Sequence, residues 1–242
     1  MTSISVVIPA YNEEQRLPIS LGSILDYFAA KNCPWWEILV VDDGSRDGTA
    51  AVAREFQSLH PQIRLLENPG NRGKGYSVRH GMLEAKGDWV LFTDSDLSAP
   101  IEELEKLLLG ARQRNASVAI GSRAVDRKLI SVHQSWFRET AGRIFNLFMR
   151  CVTGLPFSDT QCGFKLFEHK AAQEVFRRQQ IERWGFDAEV LFIARKLGYK
   201  TVEIPVRWSH SDGTKVSMFR DSVKMFTDLF RIRKNQLKGL YR

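Results

Sequence analysis

Hydrophobic positions in the first half of this chain follow two alternating rhythms. Ile4 to Ile8 is a nearly continuous apolar run closed by Pro9, the pattern of a strand buried on both faces. From Glu13 to about Ala30 the spacing lengthens, and Leu17, Leu21, Ile24, Leu25 and Phe28 fall on one helical stripe. The alternation repeats. Glu37 to Val41 reads as a second strand, and Asp47 stands where it can cap a helix from Thr49 to about Leu59. Ile63 to Leu66 is a third strand, and a Gly-rich loop then leads into a helix from Gly73 to about Ala85. Asp88 to Thr93 is a fourth strand, Pro100 opens a helix that runs to about Arg114, and Val118 to Ile120 is a fifth strand. Strands alternating with helices predict an α/β fold, Rossmann-like, with a mostly parallel sheet flanked by helices. Ligands of such sheets bind beyond the carboxyl ends of the strands. Pro9-Ala10-Tyr11, Asp42-Asp43 and Asp94-Ser95-Asp96 all fall at such ends, so they can converge on one site.

The second half is less regular. Ser135 to Val152 reads as a helix with a wide apolar face that includes Trp136, Phe137, Phe145 and Phe148, suited equally to a core and to a membrane surface. Phe186 to Leu197 reads as a buried helix and Lys200 to Trp208 as a strand. Near the C-terminus, Val223, Phe226, Leu229 and Phe230 recur at helical spacing among basic residues. That amphipathic helix is expected either to pack on the domain or to lie on a membrane. With no linker in view, residues 1–242 are read as a single domain, 1–123 forming one half and 124–242 an extension of it.

Composition narrows the class. The chain is 43% hydrophobic and 26% charged, which suits a soluble protein with a sizeable core. No apolar stretch approaches the ~18 residues of a membrane span. The N-terminus enters a strand-like run directly, so no signal peptide is expected. Three cysteines, Cys33, Cys151 and Cys162, show no metal-ligand spacing, and their odd number suits a reduced, cytoplasmic setting. The net charge is +7, and residues 215–242 hold eight Lys or Arg against two Asp, so most of the excess is local. A nucleic-acid partner would call for aromatics interleaved with that charge and would leave Asp94 and Asp96 without a role; none is expected.

The chemistry starts from Asp94-Ser95-Asp96. Two carboxylates one residue apart, at the end of the apolar run Trp89-Val90-Leu91-Phe92, can hold a hard divalent cation together with a ligand's phosphates. An acidic loop is the plainer alternative. Asp43 can accept hydrogen bonds from the N–H edge of a uracil or guanine ring, or serve as a turn residue. Asn71-Arg72-Gly73-Lys74-Gly75 is a basic Gly-rich loop before a helix, suited to an anion, but its spacing is not that of a Walker A loop. A nucleotidyltransferase would place such a loop directly after the first strand, where Pro9-Ala10-Tyr11-Asn12-Glu13 stands instead. A polymerising synthase is set aside for want of a Q-x-x-R-W run, a ground that residues 180–184 remove below.

Taken in order, Val6-Val7-Ile8-Pro9-Ala10-Tyr11-Asn12-Glu13, Val41-Asp42-Asp43-Gly44-Ser45, Asn71 to Gly75 and Asp94-Ser95-Asp96 resemble the family 2 glycosyltransferases with the GT-A fold. Gly121-Ser122-Arg123 extends the resemblance to the polyprenyl-phosphate sugar transferases. Asp159 to Lys165 and Trp208 to Lys215 look most like the dolichyl-phosphate β-glucosyltransferase branch. The resemblance implies a nucleotide-sugar half at 1–123 and an acceptor and membrane-facing half at 124–242. Pro9, Ala10, Tyr11, Glu13 and Val41 would line the nucleoside pocket, with Asp43 on the base. Asp94, Ser95 and Asp96 would lie at the donor pyrophosphate, Asp94 and Asp96 framing Mg²⁺ or Mn²⁺. Lys74 would join the nucleotide-sugar site, and Lys215 would close over the diphosphate. Arg123 would sit near the transferred sugar or the acceptor phosphate, Arg138 would be a second contact to that phosphate, and Asp159 would orient the acceptor, act as a weak base, or serve only as a turn residue. The implied reaction is inverting transfer of a sugar, glucose from UDP-glucose, onto a polyprenyl (dolichyl or undecaprenyl) phosphate at the cytoplasmic face of a membrane. GDP-mannose as donor and a soluble glycan as acceptor are the alternatives. Ser209 stands where the mannosyltransferase relatives carry an Arg six residues before the Lys, which weighs against GDP-mannose.

Overall fold

A computed structural model of the chain describes residues 2–31, 33–132, 146–209 and 218–242. Its elements follow the predicted alternation. Strands β1 (Ile4–Ala10), β2 (Trp36–Asp42), β3 (Ile63–Glu67), β4 (Trp89–Thr93) and β5 (Val118–Ser122) are separated by helices α1 (Leu17–Ala30), α2 (Thr49–Leu59), α3 (Lys74–Glu84) and α4 (Glu103–Gln113). Beyond them come β6 (Ile130–Val132), helical residues 146–153 (α5), β7 (Phe164–Glu168), α6 (His169–Arg178), α7 (Phe186–Lys196), β8 (Thr201–Pro205), the short β9 (Trp208–Ser209) and α8 (Met218–Leu237).

Seven strands form one sheet in the order β3-β2-β1-β4-β7-β5-β8, and β6 pairs with β9 apart from it. All neighbours in the main sheet are parallel except β7, which runs antiparallel to both β4 and β5. Alternate residues of each strand feed two cores. Val7, Val41, Phe92 and Ile120 pack with α3, α6 and α7, while Val6, Ile8, Val40 and Leu91 pack with α1 and α4. Burial on both faces is why these strands read as near-continuous apolar runs.

Three expectations need correction. The first helix begins at Leu17, not Glu13. Residues 13–16 turn instead, because Glu13 binds Arg16 through both carboxylate oxygens (2.7 and 2.8 Å) and its N–H donates to Thr49 Oγ1 at 2.7 Å. Strand β7 and helix α6 were not anticipated, since Lys165 interrupts the apolar run of β7. The strand expected from Lys200 to Trp208 breaks at Pro205, and Trp208 pairs with Ile130 instead. The expected Ser135–Val152 helix lies outside the described residues up to residue 145 and is helical from 146.

Candidate active site

The carboxyl ends of β1, β2 and β4 lie side by side, because β2, β1 and β4 are neighbours in the sheet. Pro9 and Ala10 sit opposite Val41 and Asp42 in register, and all four are buried. Asn12, with φ of 53°, turns the chain after β1 and ties it to the next strand end. Its N–H donates to Ser45 Oγ at 2.9 Å and its Oδ1 accepts from the Arg46 N–H at 2.8 Å. Tyr11 is half-buried beside it.

Asp43 does something the sequence did not suggest. Its buried carboxylate accepts from Asn68 Nδ2 (2.9 Å), the Arg72 N–H (3.0 Å) and the Gly73 N–H (2.8 Å). The Gly-rich loop ahead of α3 is an anion cradle, as expected, but its resident anion is Asp43. The glycines serve packing too. A Cβ on Gly73 would meet Glu182 O at 2.7 Å, and one on Gly75 would meet Ile181 O at 2.7 Å. The expected contact between Asp43 and a base therefore finds its carboxylate already committed. Asp42 is the opposite case. Its Oδ2 accepts from the Ser45 N–H at 3.1 Å, while its buried Oδ1 has no hydrogen-bond partner among the described residues. A buried carboxylate oxygen left unpaired is unfavourable unless a ligand supplies the donor.

At the end of β4, Asp94 Oδ1 lies 2.5 Å from Lys74 Nζ at the start of α3. Burial alone would lower the Lys74 ammonium, but the charges of Asp94 and then Asp187 outweigh it, and its pKa is raised. The Trp184 ring face is 5.5 Å from the same Nζ. Asp96 Oδ1 accepts from the Ser98 N–H at 3.0 Å, and Ser95, buried, is held through its carbonyl by Ser20 Oγ at 2.7 Å. Leu97 follows with φ of 46°, a left-handed conformation that a bulky residue adopts only when its surroundings enforce it. Each carboxylate thus has one engaged oxygen, and its second has no donor among the described residues. Two hard oxygen ligands fit Mg²⁺ or Mn²⁺ if phosphates or water complete the shell. No cluster of three His, Cys, Asp or Glu able to hold a metal occurs among the described residues, so those residues supply only part of such a shell.

At the end of β5, Arg123 grips Asp159 as a fork, Nε to Oδ2 at 2.7 Å and Nη2 to Oδ1 at 2.9 Å. The backbone N–H groups of Arg123 and Gln161 add two more donors, at 3.0 and 3.1 Å. Burial would raise the Asp159 carboxyl, but the Arg123 charge and these bonds hold it down at about 2. A carboxylate so stabilised is a poor base, and the weak-base role expected for Asp159 gives way to that of orienting Arg123. The guanidinium also lies 5.3 Å from the Trp208 ring centroid. Cys162 beside this pair has its thiol pushed up to about 12, by burial first and Asp159 second, and stays protonated. Arg138 and Lys215 lie outside the described residues.

Several residues here escaped the sequence reading. Lys165, fully buried in β7, pairs with Asp187 in the first turn of α7 and donates to Cys162 O at 2.7 Å. Gly163 lets Asp94 in, since a Cβ there would overlap its carboxylate. Gln180-Ile181-Glu182-Arg183-Trp184 has the Q-x-x-R-W spacing after all. This loop packs on α3. Arg72 Nη2 meets Glu182 Oε1 at 2.9 Å, and the Tyr76 N–H donates to Glu182 O at 2.9 Å. The spacing itself was the signal that could have found it.

Helix α8 has two faces. Leu229, Ile232 and Asn235 are buried, and Tyr241 beyond them donates to Glu189 Oε1 at 2.6 Å. Phe230, Arg231, Lys234 and Leu237 face outward, and Phe148 of α5 packs edge-on against Phe226 and Phe230. Among the described residues, no helix is long and apolar enough to cross a membrane.

Comparison with known proteins places the fold and the family. Solved structures of glucosyl-3-phosphoglycerate synthase from Mycobacterium tuberculosis, one of them with Mn²⁺, UDP and glucosyl-3-phosphoglycerate, superpose with a TM-score of 0.65 at 20% identity over 96% of this chain and 80% of theirs. The mannosyltransferase PcManGT from Pyrobaculum calidifontis, in complex with GDP-Man and Mn²⁺, gives 0.62 at 18% identity over 95% of this chain and 64% of its own. These neighbours show the GT-A fold. Dolichyl-phosphate beta-glucosyltransferases are 38% identical in Drosophila melanogaster and 36% in Homo sapiens, each over 99% of this chain and 77% of the relative. The family model described as Glycosyl transferase family 2 matches residues 5–176, and the chain belongs to that family.

Proposed function

We propose that the protein transfers glucose from UDP-glucose to a polyprenyl phosphate, of the dolichyl or undecaprenyl type, in one inverting displacement. The observation that carries this reading is the likeness to dolichyl-phosphate beta-glucosyltransferases along 99% of the chain, acceptor half included. That likeness, rather than any missing motif, also argues against a polymerising synthase.

The roles follow from the chemistry of the groups. Pro9, Ala10, Tyr11, Glu13 and Val41 line the nucleoside pocket. Asp42 rather than Asp43 accepts from the uracil ring, because its Oδ1 is the oxygen that lacks a donor among the described residues. Asp94 and Asp96 would hold Mg²⁺ or Mn²⁺, which when bound neutralises charge on the departing diphosphate. Ser95 fixes the spacing of the two carboxylates, and Lys74 and Lys215 offer further positive charge to the diphosphate. A phosphate monoester is already largely ionised at pH 7, so the acceptor needs no strong base, in keeping with an Asp159 held at about 2. Arg123, fixed by Asp159, and Arg138 hold the acceptor oxygen in line for attack on the anomeric carbon. The lipid acceptor places the enzyme at a membrane surface, on its cytoplasmic face. There the outward side of α8 offers Arg231 and Lys234 to anionic headgroups and Phe230 and Leu237 to the acyl boundary.

Incubation with a panel of nucleotide sugars and a polyprenyl phosphate, followed by mass spectrometry, tests the reading. Glucosylated lipid should form from UDP-glucose. A mannosylated lipid from GDP-mannose, or product only with a soluble glycan, would overturn it. In liposome co-sedimentation, changing Arg231 and Lys234 together to Glu should weaken salt-sensitive binding, each residue contributing about 1 kcal/mol; Arg233 is left in place because it holds the Val152 carbonyl at 2.6 Å.

A further inference from the structure

We propose that Lys74 holds Asp94 in the donor-free enzyme and releases it when the nucleotide arrives, so that the metal site opens only with the donor present. This rests on the reading of Asp94 and Asp96 as metal ligands.

Four observations carry it. First, Lys74 Nζ lies 2.5 Å from Asp94 Oδ1, on one of the oxygens a cation would use. A divalent ion must displace the ammonium to gain that ligand. Second, Asp94 and Asp96 stand without a third acidic or imidazole ligand among the described residues. With Lys74 in place, the pair offers a dication one net negative charge, and a nucleotide diphosphate would bring the missing charge and oxygens. Third, the Lys74 backbone is pinned while its side chain is long. Asp43 fixes the Gly73 N–H just before it, and Gly75 is wedged against Ile181 O just after. The ammonium can therefore change partners without moving α3. Fourth, other attractions flank it. The Trp184 ring face is 5.5 Å from Nζ, and Asp187 acts on it as a second carboxylate. Asp187 is itself engaged by Lys165, so it offers a secondary pull rather than a competing full pair. An incoming diphosphate would attract both the metal and Lys74, taking each away from the closed arrangement in one event.

The test is Mn²⁺ binding, read from the electron paramagnetic resonance of the free ion, with and without saturating UDP. Wild type should bind Mn²⁺ weakly alone and much more tightly with UDP. Lys74→Gln should bind Mn²⁺ alone roughly ten-fold more tightly than wild type, the scale of one charge contact, and should gain less from UDP. Lys74→Arg keeps the charge and should bind Mn²⁺ alone no more tightly than wild type, which separates loss of the charge from loss of the lysine side chain. Lys74→Gln binding Mn²⁺ no more tightly than wild type without UDP, while both bind it with UDP, overturns the proposal alone. If neither protein binds Mn²⁺ even with UDP, the metal reading falls and takes this proposal with it.

Discussion

The exits of β4 and β5 each pair a carboxylate with a cation, and the two pairs are built for different ends. At β4, Lys74 touches Asp94 at one oxygen, and the Asp94 side chain is 34% exposed. At β5, Arg123 holds both oxygens of Asp159, whose side chain is 8% exposed and receives two backbone N–H groups as well. A single ammonium contact at a half-open carboxylate can be exchanged for another cation. A guanidinium fork on a saturated, buried carboxylate cannot, because its geometry and its hydrogen bonds are lost together. The first arrangement suits a ligand that comes and goes with every turnover. The second suits a fixed post from which Arg123 meets the acceptor.

The comparison can be broken most forcefully at Asp159. Asp159→Asn leaves the partly exposed Arg123 without its charge partner, and unfolding should become easier by about 2–3 kcal/mol, the scale of a charged hydrogen-bonded contact. Urea titration measures it. The pH dependence gives the same test by another route. Because the folded carboxyl is held at about 2, below its ordinary 3.8, its stabilisation is complete above pH ~4 and is lost as pH falls towards 2. Acid unfolding across that window should be shallower in Asp159→Asn than in the native protein. A variant as stable and as acid-sensitive as the native protein would mean that the fork carries no net stability.

Asp96→Asn tests the metal reading of the β4 strand exit. Folding should be nearly unaffected, while transfer should fall by at least about 100-fold, the scale of losing a major electrostatic stabiliser. EDTA should abolish transfer in the unmodified enzyme. Full activity in metal-free buffer would remove the reason for an open carboxylate at β4.

The same contrast recurs at the end of β2 with a smaller expected effect. Asp42→Ala should weaken UDP binding in calorimetry by about 1–3 kcal/mol and cost at most about 1 kcal/mol of stability, since it removes the single hydrogen bond from the Ser45 N–H together with an oxygen that has no donor among the described residues. Asp43→Ala should act chiefly on folding, because it strips the Gly-rich loop of its anion. If Asp43→Ala weakens UDP binding at full stability and Asp42→Ala does neither, the two roles are reversed.

The mildest test exchanges the cations. Arg123→Lys should lose the fork and about 1–2 kcal/mol of stability, within the range of a charged hydrogen bond. Lys74→Arg should change stability by less than about 0.5 kcal/mol, as for a partly exposed pair. Equal effects at the two sites would erase the distinction.

The sequence made the first half of the fold legible because each parallel strand is covered on both faces and so announces itself as an apolar run. It marked Asp94, Asp96 and the Asp42-Asp43 pair by their position at strand ends. It did not mark their partners. Lys74 and Asp94 are 20 residues apart, and Arg123 and Asp159 are 36 apart. Only the fold decides that one pair is loose and the other locked. Asp43 looked like a ligand contact because a carboxylate facing a ligand and one facing a loop share the same neighbours in sequence. Strand β7 was hidden by Lys165, whose partner Asp187 lies on α7 and turns a polar interruption into a buried pair. The loop of residues 180–184 reaches α3 through the space left at Gly73 and Gly75, and nothing in its local pattern gives that destination.

The antiparallel strand β7 has a consequence for how the chain comes into being. It is the wedge between β4 and β5, yet it is made only after the five strands that precede it in the main sheet and the whole stretch to residue 163. Until Phe164–Glu168 leaves the ribosome, the outer edge of β4 has no partner and the exit carrying Asp94 has no wall. The nascent first half is therefore an open sheet with an exposed edge, a state prone to pairing with other chains. A gene cut after Ser122 should yield an aggregating fragment, and co-expressing residues 123–242 should rescue it by delivering the missing strand in trans.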